Sequence, residues 1–113
     1  MLTLNWIKCA DNKWCPLLHV NLTAISEEVC GVYIIWSPQQ VVRVGQGTIA
    51  ERLSFQRQNT DVLAYAQQGL FVTWAEVPQS QLDGVELYLS QVFYPETGDR
   101  WPNTIPITVN LPE

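Results

Sequence analysis

No apolar run in the sequence approaches the roughly 18 residues that a membrane-crossing helix needs. Lys, Asp, Gln or Pro interrupts every stretch, so a soluble protein with no membrane partner is expected. The first residues, MLTLNWIK, lack the basic start and long apolar centre of a secretory signal, and a cytoplasmic location is the resulting expectation. Cysteine is scarce and odd in number: Cys9, Cys15 and Cys30 do not make a fully paired disulfide framework and fit reduced thiols. Histidine is represented by His19 alone. With the cysteines it spells C-x5-C-x3-H-x10-C, whereas structural zinc sites open with ligands two to four residues apart. Buried small hydrophobes are therefore the better reading of the thiols. There is no internal repeat and no low-complexity segment.

Positive charge is also thin, with six Lys and Arg against eleven Asp and Glu and a net charge of −5. Phosphate binding draws on Lys and Arg, so this balance weighs against a nucleic-acid partner. The distribution is uneven. Residues 31–60 hold Arg43, Arg52 and Arg57 against Glu51, a local balance of +2 that leaves −7 elsewhere.

What the chain does have is apolar material: 47% hydrophobic residues and five tryptophans in 113 residues, enough for one core and too little for two. Trp6, Trp14, Trp36, Trp74 and Trp101 read as core or rim residues rather than base-stacking platforms. The pattern along the chain is that of an α+β domain. TLNWIKC is a possible short strand, and Asp11-Asn12-Lys13 is a turn. Two β-rich runs, 31–36 and 41–44, flank the turn-like Ser37-Pro38-Gln39-Gln40 and predict an antiparallel hairpin. Thr48-Ile-Ala-Glu51 has capping-box form and predicts a helix from Thr48 to about Asn59. A second helical piece through Val62, Leu63 and Ala66 stops at Gly69. Leu70 to Val77 is a third strand, closed by Pro78. Ser80 is placed to cap a helix whose apolar residues Leu82, Val85, Leu89, Val92 and Phe93 recur at three and four and which ends before Pro95. The tail from Glu96 is expected to be irregular or extended, with Ile107 to Asn110 along a sheet edge.

Glu86 breaks that last apolar stripe, four residues after Leu82 and three before Leu89. An unpaired buried charge is costly, so the carboxylate is expected to meet a cation, a metal or a cleft open to water. A structural ion pair with an arginine is the plainer of these outcomes.

GVYIIW at 31–36, RVGQG at 43–47, Arg52-Leu53 in the following helix and Glu86 in a later one resemble, in order and spacing, the signature of the GIY-YIG nucleases. The resemblance covers residues 31 to about 103. It implies a small three-stranded antiparallel sheet flanked by helices, with a core over about 29–104 and residues 1–28 as an N-terminal extension of a single domain, 1–113. It also implies phosphodiester hydrolysis assisted by one Mg²⁺ or Mn²⁺ ion, with nucleic acid as partner, DNA ahead of RNA. By the same resemblance Tyr33 helps activate the attacking water, Arg52 steadies the phosphate and Glu86 binds the metal. Gly45 falls at the second motif glycine, and Asn103, after Trp101-Pro102, is similar to the asparagine that follows a proline late in the family's domain. The chemistry is coherent. A hard divalent ion prefers carboxylate and water oxygens, and a guanidinium grips phosphate in a two-pronged way.

The sequence departs from the family twice. Arg43 stands where the second tyrosine is expected, and Gln56 where histidine or tyrosine is frequent, four residues after Arg52. Losing each acid–base group costs roughly 10² to 10⁴ in rate. Arg43 offers a second phosphate contact instead. The alternative is a catalytically impaired domain of the same fold that binds nucleic acid or a protein partner, and a partner for targeting fits either reading.

Overall fold

A computed structural model describes residues 1–98 and 101–113. Its centre is a four-stranded antiparallel sheet in the order β1-β4-β2-β3: β1 is Cys15–Pro16, β2 is Cys30–Trp36, β3 is Val41–Thr48 and β4 is Phe71–Glu76. The α+β class is as expected, but the sheet has four strands rather than three. The extra strand comes from the N-terminal segment and pairs Cys15 with Val72 and Pro16 with Phe71. Residues 1–28 therefore complete the core. Leu4, Cys15 and Leu17 are buried, and the Ile7 amide bonds to the Trp74 carbonyl at 2.9 Å.

Cys9 and Cys15 are joined by a disulfide, against the expectation of three reduced thiols; Cys30 is free and exposed. The reason is local. Asp11 and Asn12 both take left-handed backbone angles, and the Cys9 amide bonds to the Lys13 carbonyl at 2.8 Å, so the turn returns the chain until the two Cα atoms lie 5.1 Å apart.

Central strand β2 is buried along nearly its whole length because both faces are covered. On one face, Tyr33 and Ile35 join Val72, Trp74, Ile49 and Leu53 under α1, Ile49–Gln56. On the other, Val32 and Ile34 join Val44, Ala75, Val85 and Leu89 under α3, Leu82–Phe93. The hairpin turn closes as the sequence implies, with the Ser37 amide bonded to the Gln40 carbonyl. A bulge next to it shifts the register between Ile35 and Trp36. That extra residue lets Val42 and Val44, two apart on β3, enter opposite cores.

Helix boundaries moved where backbone partners replaced side-chain caps. Thr48 precedes α1 but makes no capping bond: its hydroxyl lies 3.9 Å from Cys30 Sγ, and the Ile49 amide bonds to the Val29 carbonyl. Ser80 does not cap α3, because Gln79–Gln81 forms a 3₁₀ turn that leads straight into it. The middle helical piece splits into α2, Thr60–Leu63, and a 3₁₀ turn at Ala66–Gln68, ending at Gly69. Val92, counted in the apolar stripe, is exposed at 38%. The start of the tail runs along edge strand β3, with the Glu96 and Thr97 amides bonded to the Val41 and Val42 carbonyls, but Ile107 to Asn110 do not lie along a sheet edge. Val109 makes an isolated parallel bridge to Leu2, and the Ile107 amide bonds to Gly84 of α3. No helix among the described residues is long and apolar enough to cross a membrane.

Candidate active site

Tyr33 and Gly45 are register partners across β2 and β3. The phenol lies directly over the glycine: a Cβ at Gly45 would sit 2.2 Å from Tyr33 Oη and 2.3 Å from Cζ. Only a glycine leaves room for this ring. Gln56, at the end of α1 and buried, donates from Nε2 to Tyr33 Oη at 2.9 Å, while its Oε1 accepts from Asn59 Nδ2 at 3.0 Å. The departure at Gln56 thus places an amide where it holds the phenol. Burial pushes the Tyr33 pKa up; the Arg43 guanidinium, the Gln56 bond and Arg52 pull it down, and the net shift is upward from 10.0.

Arg52 is exposed, and its stem passes over Gly47, where a Cβ would meet Nε at 3.0 Å and Cγ at 3.1 Å. Arg43 faces the same side as Tyr33, opposite Ile35, with its guanidinium against Gly98. Its buried Nε has no hydrogen-bond partner among the described residues. Arg57, counted in the basic stretch, is committed elsewhere: its guanidinium bonds the carbonyls of Leu17 and Val20 and ties the N-terminal segment down.

Glu86 projects from α3 and is only 9% exposed. Among the described residues no arginine pairs with it. Gln46 Nε2 donates to Glu86 Oε1 at 3.0 Å and to Asp83 Oδ1 at 2.7 Å, bridging two carboxylates one helical turn apart. Burial and the neighbouring Asp83 push the Glu86 pKa up; the Gln46 bond, Arg43 and Arg52 oppose them without cancelling them. Gln46 and Asp83 are the members of this cluster that sequence reasoning missed. Strand alternation turns Gln46 to the face opposite Gly45 and Gly47, but it does not point to the acceptors on α3.

The arrangement is a straddle. Tyr33 and Arg43 lie on the α1 side of edge strand β3 and Glu86 on the α3 side, and Glu86, Arg43 and Arg52 all influence the phenol electrostatically. Arg43 borders a polar cavity with Asp61, Tyr65, Glu96 and Thr97, and Tyr33, Arg52 and Glu86 do not line it with Arg43. Asn103 is exposed on the tail and makes no hydrogen bond among the described residues. Asn110 is the structural asparagine, bonding both the Leu4 amide and the Leu4 carbonyl.

No group of three His, Cys, Asp or Glu gathers among the described residues. An all-protein metal cage is thus not formed there. Asp83 and Glu86 do suit a hard divalent ion, which is commonly held by one or two carboxylates and completed by water and phosphate oxygens. Comparison of the chain with known protein families, with curated proteins and with solved structures finds no match.

Proposed function

We propose that the chain is a divalent-metal-dependent nuclease of GIY-YIG type, hydrolysing a phosphodiester bond of nucleic acid at edge strand β3. The observation that carries this reading is Glu86: a buried carboxylate that no arginine among the described residues pairs with, set within the field of two guanidiniums and a phenol. A structural role would have paired it; a catalytic one leaves it under-compensated. Glu86, with Asp83 beside it, would hold the Mg²⁺ or Mn²⁺ ion, which supplies Lewis acidity toward the phosphate. Arg52, exposed at the start of the following helix, grips the phosphate, and Arg43 adds a second cationic contact. Tyr33, fixed by Gln56, orients the attacking water. Its raised pKa keeps the proton on the phenol at neutral pH and moves its work as a base to the alkaline side.

A second reading has its own support. Tyr33 is 2% exposed, and Arg43 replaces a phenol, which suits a domain of this fold that binds nucleic acid or a protein without cutting. The deciding experiment incubates labelled single-stranded, duplex and branched DNA and RNA with Mg²⁺ or Mn²⁺, comparing wild type with Glu86→Ala. Cleavage that vanishes in the variant supports the nuclease. Binding of nucleic acid by both proteins with cleavage by neither establishes the second reading, and absence of binding points to a protein partner.

A further inference from the structure

We infer that the cavity at the turn end of the β2–β3 hairpin is a slot for one unstacked nucleobase; its choice of ligand rests on the nucleic-acid reading above. The cavity measures about 390 Å³, within the range of small-molecule sites, and is lined by Trp14, Trp36 and Phe93 together with Ser37, Gln39 and Gln40. Trp14 meets Trp36 edge-on at 5.4 Å, and Phe71 stacks on Trp36 at 5.9 Å, so the aromatic wall is braced before any ligand arrives. Both tryptophans are half-buried rather than sealed in the core.

The polar side of the slot is made of carboxamides. Gln40 Nε2 is held by Ser37 Oγ at 3.0 Å and Gln68 Oε1 at 2.9 Å, while Gln39 is exposed with its side-chain amide unengaged among the described residues. A carboxamide offers a donor and an acceptor side by side, the complement of a base edge. Among the described residues no charged side chain lines the cavity, which disfavours an anion or a metal and favours a neutral, flat, hydrogen-bonding ring. Lys8 Nζ sits just outside, 4.5 Å over the Trp14 ring, where it can meet a backbone phosphate.

Phe93 follows Glu86 by seven residues on α3, a rise of about 10 Å, or about three stacked nucleotides. Cavity and catalytic cluster share no residue, so they can be tested apart.

The test titrates the full chain, without divalent metal, with adenosine, with a single-stranded oligonucleotide and with glucose, following tryptophan fluorescence. Adenosine and the oligonucleotide should quench it and glucose should not. Trp36→Ala should weaken binding about tenfold or more, and Gln39→Ala, at an exposed position, about fivefold. If Trp36→Ala does not fold, Gln39→Ala decides alone. Binding of glucose in place of adenosine, no binding of adenosine, or unchanged affinity in Gln39→Ala overturns the slot. Cleavage assays separate the two readings: a protein that cuts but takes no adenosine loses the slot only, and one that takes adenosine but cuts nothing loses the nuclease only.

Discussion

Replacing Gly45 with alanine tests whether the phenol really lies across that glycine. A Cβ would appear 2.2 Å from Tyr33 Oη, 2.3 Å from Cζ and 2.6 Å from Cε2, whereas ordinary contact begins at 3.4 Å. The ring must retreat by more than 1 Å, and its 2.9 Å bond from Gln56 cannot survive that movement. Overpacking of this kind costs roughly 1–3 kcal/mol and a lost hydrogen bond roughly 1 kcal/mol, so the variant should lose about 2–4 kcal/mol. Strand propensity alone predicts the opposite, a gain of roughly 0.5–1 kcal/mol, which makes the sign of the effect informative. Urea unfolding of wild type, Gly45→Ala, Tyr33→Ala and the double variant measures it. Most of the cost should disappear in the Tyr33→Ala background, leaving a coupling of about 2 kcal/mol. A cost below about 0.5 kcal/mol, or one equal in both backgrounds, would refute the reasoning.

Glu86→Gln should stabilise the fold at neutral pH, because the native state raises the Glu86 pKa and ionising that carboxylate works against folding. Stability of the wild type should fall as pH rises from about 4.5 through the elevated native value, so the gain in the variant shrinks toward acid; thermal unfolding between pH 4 and 7 checks both. Tyr33 follows the same sign at higher pH. Its stabilising protonated state is intact below 10.0 and is lost above it, so Tyr33→Phe should flatten the loss of stability on the alkaline side. Opening the Cys9–Cys15 bond, which closes a short loop with a separation of six residues, should cost about 2 kcal/mol, read from unfolding of Cys9→Ser/Cys15→Ser.

Much of this fold could be read from local pattern. The β2–β3 hairpin declared itself through β-branched and aromatic runs around Ser37-Pro38, and α3 through its three-and-four spacing, because both signals lie within a few residues of one another. Strand β1 left no such trace. Two residues, one of them proline, hold strand geometry only because β4 pairs with them, and the Cys9–Cys15 bond depends on the left-handed turn between the cysteines. The candidate site divides along the same line. Tyr33, Arg52 and Glu86 were named from sequence because a motif ties their positions together. Gln46 was not, since its two acceptors lie 37 and 40 residues away and no local rule joins a strand amide to a helix carboxylate. Nor could the sequence say that Arg57 is spent on the carbonyls of Leu17 and Val20, while Arg43 and Arg52 act on Tyr33. Burial of the phenol is likewise a tertiary fact, set by Gly45 beneath it and Gln56 beside it.

The central claim is that Glu86, Arg52 and Tyr33 act together on a phosphodiester bond. Its most direct measurement is Mg²⁺- or Mn²⁺-dependent cleavage of labelled nucleic acid as a function of pH by wild type, Glu86→Gln and Arg52→Lys, each first shown to be folded. Wild-type cleavage should climb as pH rises toward 10, Glu86→Gln should show none, and Arg52→Lys should show a marked fall. Wild-type activity retained in folded Glu86→Gln, or no cleavage by wild type at any pH with any substrate, would contradict it.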